Sequence, residues 1–202
     1  MKRTYDIAGQ RVALTCGAEQ AGAANFLAAV LRQEAARAPI LTPGNRIQVG
    51  WNFFQVVETE GGLELLSPDY RKNPFTDTTT DLSQALEVFG GQMSALRRAG
   101  RPPVVDVSFQ DTLVVRWSAL QAPLVYLQRL TAVRPPDSGW YLGPLGEPRS
   151  DDPKDYTRLY TYQLLDICPQ GLSLLPFPPG TLAVFDHGTL VEAVDGENQK
   201  LL

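Results

Sequence analysis

Two cysteines, one histidine and two methionines are few for a chain of 202 residues, and each scarcity removes a class of chemistry. Cys16 and Cys168 lie far apart in sequence, which makes neither a disulfide framework nor a zinc-ligand spacing. Both read as buried, inert thiols. With His187 as the single histidine, the side chains that usually gather around a transition metal are missing, so no metal or cofactor is expected. No segment approaches the roughly 20 apolar residues that cross a bilayer, so no membrane partner is expected either. Lys2 and Arg3 start the chain like a leader, but Asp6, Gln10 and Arg11 break any apolar run behind them. That pattern predicts a cytoplasmic protein.

Positive charge is also short. Eighteen Lys and Arg against 22 Asp and Glu leave a formal net charge of -4, where a nucleic-acid binder would show a basic stripe. An acidic chain suits a basic partner, whose approach complementary potential speeds and orients. Phosphate cradles are missing too: Gly61-Gly62 and Gly90-Gly91 have neither the lysine nor the spacing of a P-loop.

What is present is an ordinary globular composition, 44% hydrophobic and 20% charged, on a chain long enough to bury a core. Residues 4–15 read as an opening strand or hairpin. Residues 18–38 read as a helix, with Phe26, Leu27, Val30 and Leu31 on one face. Residues 46–58 alternate as one strand, with Ile47, Val49, Trp51 and Phe53 on one side, and Gly61-Gly62 turns it into a hairpin. Asp81 is a good N-cap for a second helix through about residue 99. Residues 104–117 suggest one or two strands, 123–133 a strand, 139–142 a short strand and 156–168 a short helix. A last hairpin turns at Asp186-His187-Gly188, ahead of a polar, frayed tail. The pattern predicts an α+β fold of antiparallel sheets, with two main helices early and a short helix late. A faint composition shift near 119–123 divides it into regions 1–120 and 121–202, which share one core or stand apart.

Two clusters carry candidate function. Asp151, Asp152 and Asp155 lie in one loop with Lys154 among them. They suit a solvated loop, an acidic rim for a protein partner, a hard cation or an acid–base pair. His187, placed in a turn, is either a turn residue half in solvent or a general base for a cysteine or serine. No Gly-x-Ser-x-Gly elbow accompanies it. The aromatics Trp140, Tyr141, Tyr156, Tyr160 and Tyr162 gather around the acidic loop. Such side chains serve as binding hot spots, or Trp140 and one or two of the tyrosines simply pack the core.

Asp137-Ser138-Gly139-Trp140, the acidic loop, Leu159-Tyr160-Thr161-Tyr162-Gln163-Leu164 and the Pro-Gly approach to a closing strand together resemble family thirty-three of the bacterial immunity proteins, which accompany polymorphic toxins. The likeness covers roughly residues 123–185. Upstream, Ile47-Gln48-Val49-Gly50-Trp51 and residues 63–70 are similar to the region ahead of this domain in longer members. Leu142 stands where the family often has another aromatic, and Pro144, Pro148 and Pro153 punctuate the acidic loop. The resemblance implies a non-enzymatic α+β binder that holds a cognate toxin protein in the cytoplasm. On that reading Asp137, Trp140, Tyr141, Asp151, Asp152 and Asp155 are the contact residues, with no catalytic, cofactor or metal site. The alternatives are a hydrolase or transferase using the loop carboxylates with His187, or a scaffold that docks peptides on an exposed strand edge.

Overall fold

The computed structural model describes residues 1–131 and 134–202. The last residues of the strand expected over 123–133 therefore lie outside the described residues. The fold is α+β. Among the described residues, twelve strands form two sheets, each antiparallel but for one parallel pair. The chain divides into two compact units, Met1–Gly90 and Gly91–Leu202.

In the first unit, β1 (Lys2–Ile7) and β2 (Gln10–Thr15) form the opening hairpin. Its two turn residues, Ala8 and Gly9, both have positive φ, the backbone that matches the twist of paired strands. The helix α1 (Ala21–Ala35) buries Ala24, Leu27, Ala28 and Leu31, while Phe26 stays partly exposed against Phe89. The single strand expected over 46–58 is two: β3 (Arg46–Val49) and β4 (Asn52–Thr59), joined by Gly50-Trp51. Gly50 has φ +59 and reverses the chain. Beyond the turn Asn52, Phe54 and Val56 point inward, and Phe53 does not join Ile47 and Val49 in the core. From there β5 (Gly62–Pro68) pairs with β4 and, in parallel, with β2, giving the order β1-β2-β5-β4-β3. A two-residue strand, β6 (Thr78–Thr79), pairs with the end of β5 inside the polar loop. Gly62 sits where β5 starts beside β2; a Cβ there would lie 2.5 Å from the Arg11 carbonyl oxygen.

Asp81 accepts from the Ser83 backbone N–H and hydroxyl, ordering the start of α2 (Ser83–Arg98). These hydrogen bonds hold the Asp81 carboxyl below its ordinary range. The helix stays regular through Gly90-Gly91 and ends in the second unit, where the Gln92 amide donates to the Leu172 carbonyl.

The second unit is a six-stranded sheet in the order β10-β7-β9-β8-β11-β12. Its strands are β7 (Thr112–Arg116), β8 (Leu124–Arg129), β9 (Asp137–Pro144), β10 (Tyr156–Tyr160), β11 (Leu182–Asp186) and β12 (Thr189–Val194). Only the last part of the 104–117 stretch is strand; residues 101–108 have no regular structure. The helix expected over 156–168 is also corrected: its first half is β10, and only Leu164–Ile167 forms an α-helix, α3. Thr157 pairs with Val115 and Leu159 with Leu113 on β7, a pairing that outweighs the local helical appearance of the segment. The tail also departs from expectation. Asp195 accepts from the Glu197 and Gln199 N–H groups, and Lys200 bridges to Val194.

Strand alternation gives this sheet two unlike faces. Leu113, Val115, Leu127, Trp140, Leu142, Ala183 and Phe185 lie on one and are buried. The segment from Thr161 to Phe177 covers them: Leu164, Leu172, Leu174, Leu175 and Phe177 are buried, and Gly171 lies against Leu127. The other face carries Val114, Arg116, Tyr126, Gln128, Tyr141 and Gly143.

Candidate functional site

The segment Asp137-Ser138-Gly139-Trp140 is where β9 departs from regular pairing with β7. Thr112 pairs with Asp137, yet Val114 pairs with Tyr141, so extra residues bulge from β9. The side chains of the segment satisfy the bulge. Asp137 accepts from the Gly139 N–H at 2.9 Å, Ser138 donates to the Thr112 carbonyl at 2.8 Å, and the Ser138 oxygen accepts from the Trp140 N–H. Gly139 takes φ +78, a conformation side chains resist. The bulge sends Trp140 inward, where it is 1% exposed, and Tyr141 onto the open face.

Beneath the sheet Trp140 and its cross-strand partner Arg129 form a clamp. The indole N–H donates to the Leu175 carbonyl at 3.1 Å, and Arg129 Nη1 donates to the carbonyls of Leu175 and Phe177 at 2.8 and 2.6 Å. The guanidinium lies 5.6 Å from the Trp140 ring centroid. Burial pushes Arg129 down to about 10, with Asp111 pulling the other way, so it is still a cation at neutral pH. The clamp ties the Thr161–Phe177 cover to the middle of the sheet.

Above the sheet lies a cavity of about 320 Å³, lined by Val114, Leu130, Asp137, Tyr141, Arg149 and Tyr156 among others. Tyr141 is its floor, 5% exposed. Gly143 makes room for the ring: a Cβ there would stand 2.6 Å from Tyr141 Cε1 and Oη. A ring laid over a strand glycine recovers packing that the missing side chain forfeits. Tyr126 and Tyr156 flank it, with centroids 5.6 and 6.2 Å away. Burial, and then the neighbouring tyrosines, push the Tyr141 phenol above its ordinary value, so it remains a neutral hydrogen-bonding group. Arg149 lies 4.7 Å over the ring and donates to Gln128.

Of the six residues singled out from the sequence, Asp137, Trp140 and Tyr141 meet at this cavity, Trp140 with its indole turned to the core. Asp151, Asp152 and Asp155 do not line it. They stand at the start of β10, Asp151 and Asp152 exposed and Asp155 half-buried, and Asp152 accepts from the Lys154 N–H. The Tyr156 hydroxyl donates to the Ser150 carbonyl, which links this loop to the cavity wall. Arg149 and Gln128 were missed by sequence reading. A lone arginine in a proline-rich loop carries no local signal, and Gln128 is legible only once β8 is set beside β9.

His187 sits at the exposed tip of the β11–β12 turn with φ +47, its ring 2.6 Å from Asp186. Cys168 is buried, and burial pushes its thiol up to about 11. Among the described residues no group of three or more His, Cys, Asp or Glu is placed to hold a metal ion. No helix among them is long and apolar enough to cross a membrane.

The second unit is thus a six-stranded sheet with one face clamped under a helical cover and a tyrosine-floored cavity over the other. Residues 91–195 match the Imm33-like domain. That is just over half of the chain, and it takes in the whole bulge, clamp and cavity. The chain belongs to this family, an immunity-protein family. No curated protein and no solved structure matches it.

Proposed function

We propose that this chain is a non-enzymatic immunity protein that binds a cognate bacterial toxin effector in the cytoplasm and blocks its action. The observation that carries the reading is the family match over 91–195, the stretch that builds the open-faced sheet. The groups a hydrolase would draw on support it further. His187 is at an exposed turn, Cys168 is buried with a raised pKa, and the loop aspartates are engaged with their own backbone or with solvent. In this proposal Asp151, Asp152 and Asp155 are contacts that steer and pair with Lys or Arg of the toxin. Asp137, Trp140 and Tyr141 shape the surface from beneath it.

The test is co-expression with the product of the adjacent gene, since an immunity gene lies beside its toxin. The proposal expects growth to be restored and a stoichiometric complex to co-purify. Unrelieved toxicity, with the chain folded and abundant, refutes it.

A further inference from the structure

The sheet of the second unit has an end at which its loops display large apolar side chains. Trp117 and Leu120 leave β7 there and are 53% and 39% exposed; Leu124 opens β8 at 41%, and Leu145 follows β9 at 45%. Hydrogen bonds hold these loops side by side. The Leu145 N–H donates to the Leu124 carbonyl, Ser118 donates to Glu147, and the His187 N–H donates to the Pro123 carbonyl. Arg116 pairs with Glu147 at 3.3 Å and is the cross-strand partner of Tyr156. The Asp151–Asp155 loop, which feeds into Tyr156, therefore arrives at the same end. Tryptophan is among the residue types most enriched at binding hot spots. Four large apolar side chains exposed at one end of a sheet are a feature that can mark an interaction site.

The surround is mildly acidic. Asp151 and Asp152 are exposed there beside Lys154; Glu147 and Asp186 are exposed too, the first paired with Arg116 and the second against His187, and the exposed Arg149 is engaged with Gln128. We infer that this end of the sheet is the docking surface for the toxin, taking a partner that presents an apolar side chain ringed by Lys and Arg, with Trp117 as the anchor. The inference rests on the proposed immunity function and names the partner surface for it. A basic partner is drawn in by the acidic rim and held by burial of Trp117, Leu120, Leu124 and Leu145. Apolar centre and polar rim is the usual anatomy of such contacts.

The experiment uses the full chain and the purified toxin domain encoded by the neighbouring gene, by surface plasmon resonance at two salt concentrations. Circular dichroism confirms that each variant is folded. Trp117→Ala and Leu145→Asp should each raise Kd by about 30-fold or more, the size of a hot-spot loss. Asp151→Lys with Asp152→Lys should slow association and flatten its salt dependence. Val104→Asp, exposed but outside the patch, should change nothing. Folded Trp117→Ala and Leu145→Asp variants that bind like the wild type overturn this surface and leave the immunity reading standing. A wild-type chain that does not bind the toxin domain overturns both. A wild-type dimer that Trp117→Ala dissolves assigns the patch to a second copy of the chain and overturns the toxin as its occupant.

Discussion

Replacing Trp140 by phenylalanine separates a framework role from a contact role for the most conspicuous residue of the Asp-Ser-Gly-Trp segment. The indole is 1% exposed and donates to the Leu175 carbonyl at 3.1 Å. Phenylalanine removes that donor, but the carbonyl keeps the Arg129 Nη1 donation at 2.8 Å. The acceptor is not orphaned, so the lost hydrogen bond costs only about 1 kcal/mol. The smaller ring leaves a void of roughly 40 Å³, and at about 24 cal/mol per Å³ this adds about 1 kcal/mol. Urea unfolding followed by circular dichroism should then show a loss of about 2 kcal/mol, while affinity for the toxin, measured well below the unfolding midpoint, stays within about threefold. A variant as stable as the wild type to within about 0.5 kcal/mol refutes the clamp. So does one whose stability is intact while its binding is lost.

Arg129→Met removes the donor to the Phe177 carbonyl, leaving a buried acceptor unpaired, and should cost about 3 kcal/mol in the same unfolding assay. Gly143→Ala drives a Cβ to 2.6 Å from the Tyr141 ring; it should cost about 1–3 kcal/mol and change the near-ultraviolet tyrosine signal as the ring leaves the cavity floor. Asp81→Ala should lose about 1 kcal/mol at neutral pH by removing the cap on Ser83. The Asp81 carboxyl is held below its ordinary range in the folded chain, so its contribution is complete above about pH 4 and fades as pH falls through the depressed value. Wild type and variant should therefore converge in acid. Cys168, with its thiol pushed up to about 11 by burial, should resist a thiol reagent at pH 8 until the chain is unfolded.

Much of the fold is legible in the sequence, because its strongest signals are local. The Ala- and Leu-rich α1, the β4–β5 hairpin, whose turn falls one residue early at Glu60-Gly61, and the His187-Gly188 turn all depend on residues a few positions apart. The misreadings have a shared cause. Gly50 inside an alternating run looks like a strand residue until its φ of +59 turns β3 back on β4. Likewise β10 becomes a strand because β7 offers it an edge, a partner 40 to 48 residues away that its own composition does not announce. The Asp-Ser-Gly-Trp segment is legible as important but not as what it is, a bulge whose polar side chains satisfy their own backbone. Which tryptophan is exposed is likewise hidden in the sequence. Trp117 opens the 3-10 turn just after β7 and Trp140 sits in the middle of β9, and only the folded chain shows that the first reaches solvent and the second does not.

The toxin's own activity, assayed in vitro while the purified chain is titrated in, tests the central claim most directly. The account predicts loss of activity that is complete at one chain per toxin, with the toxin recovered unmodified when the complex is dissociated. Full toxin activity at saturating chain would contradict it, as would toxin that emerges cleaved or chemically altered.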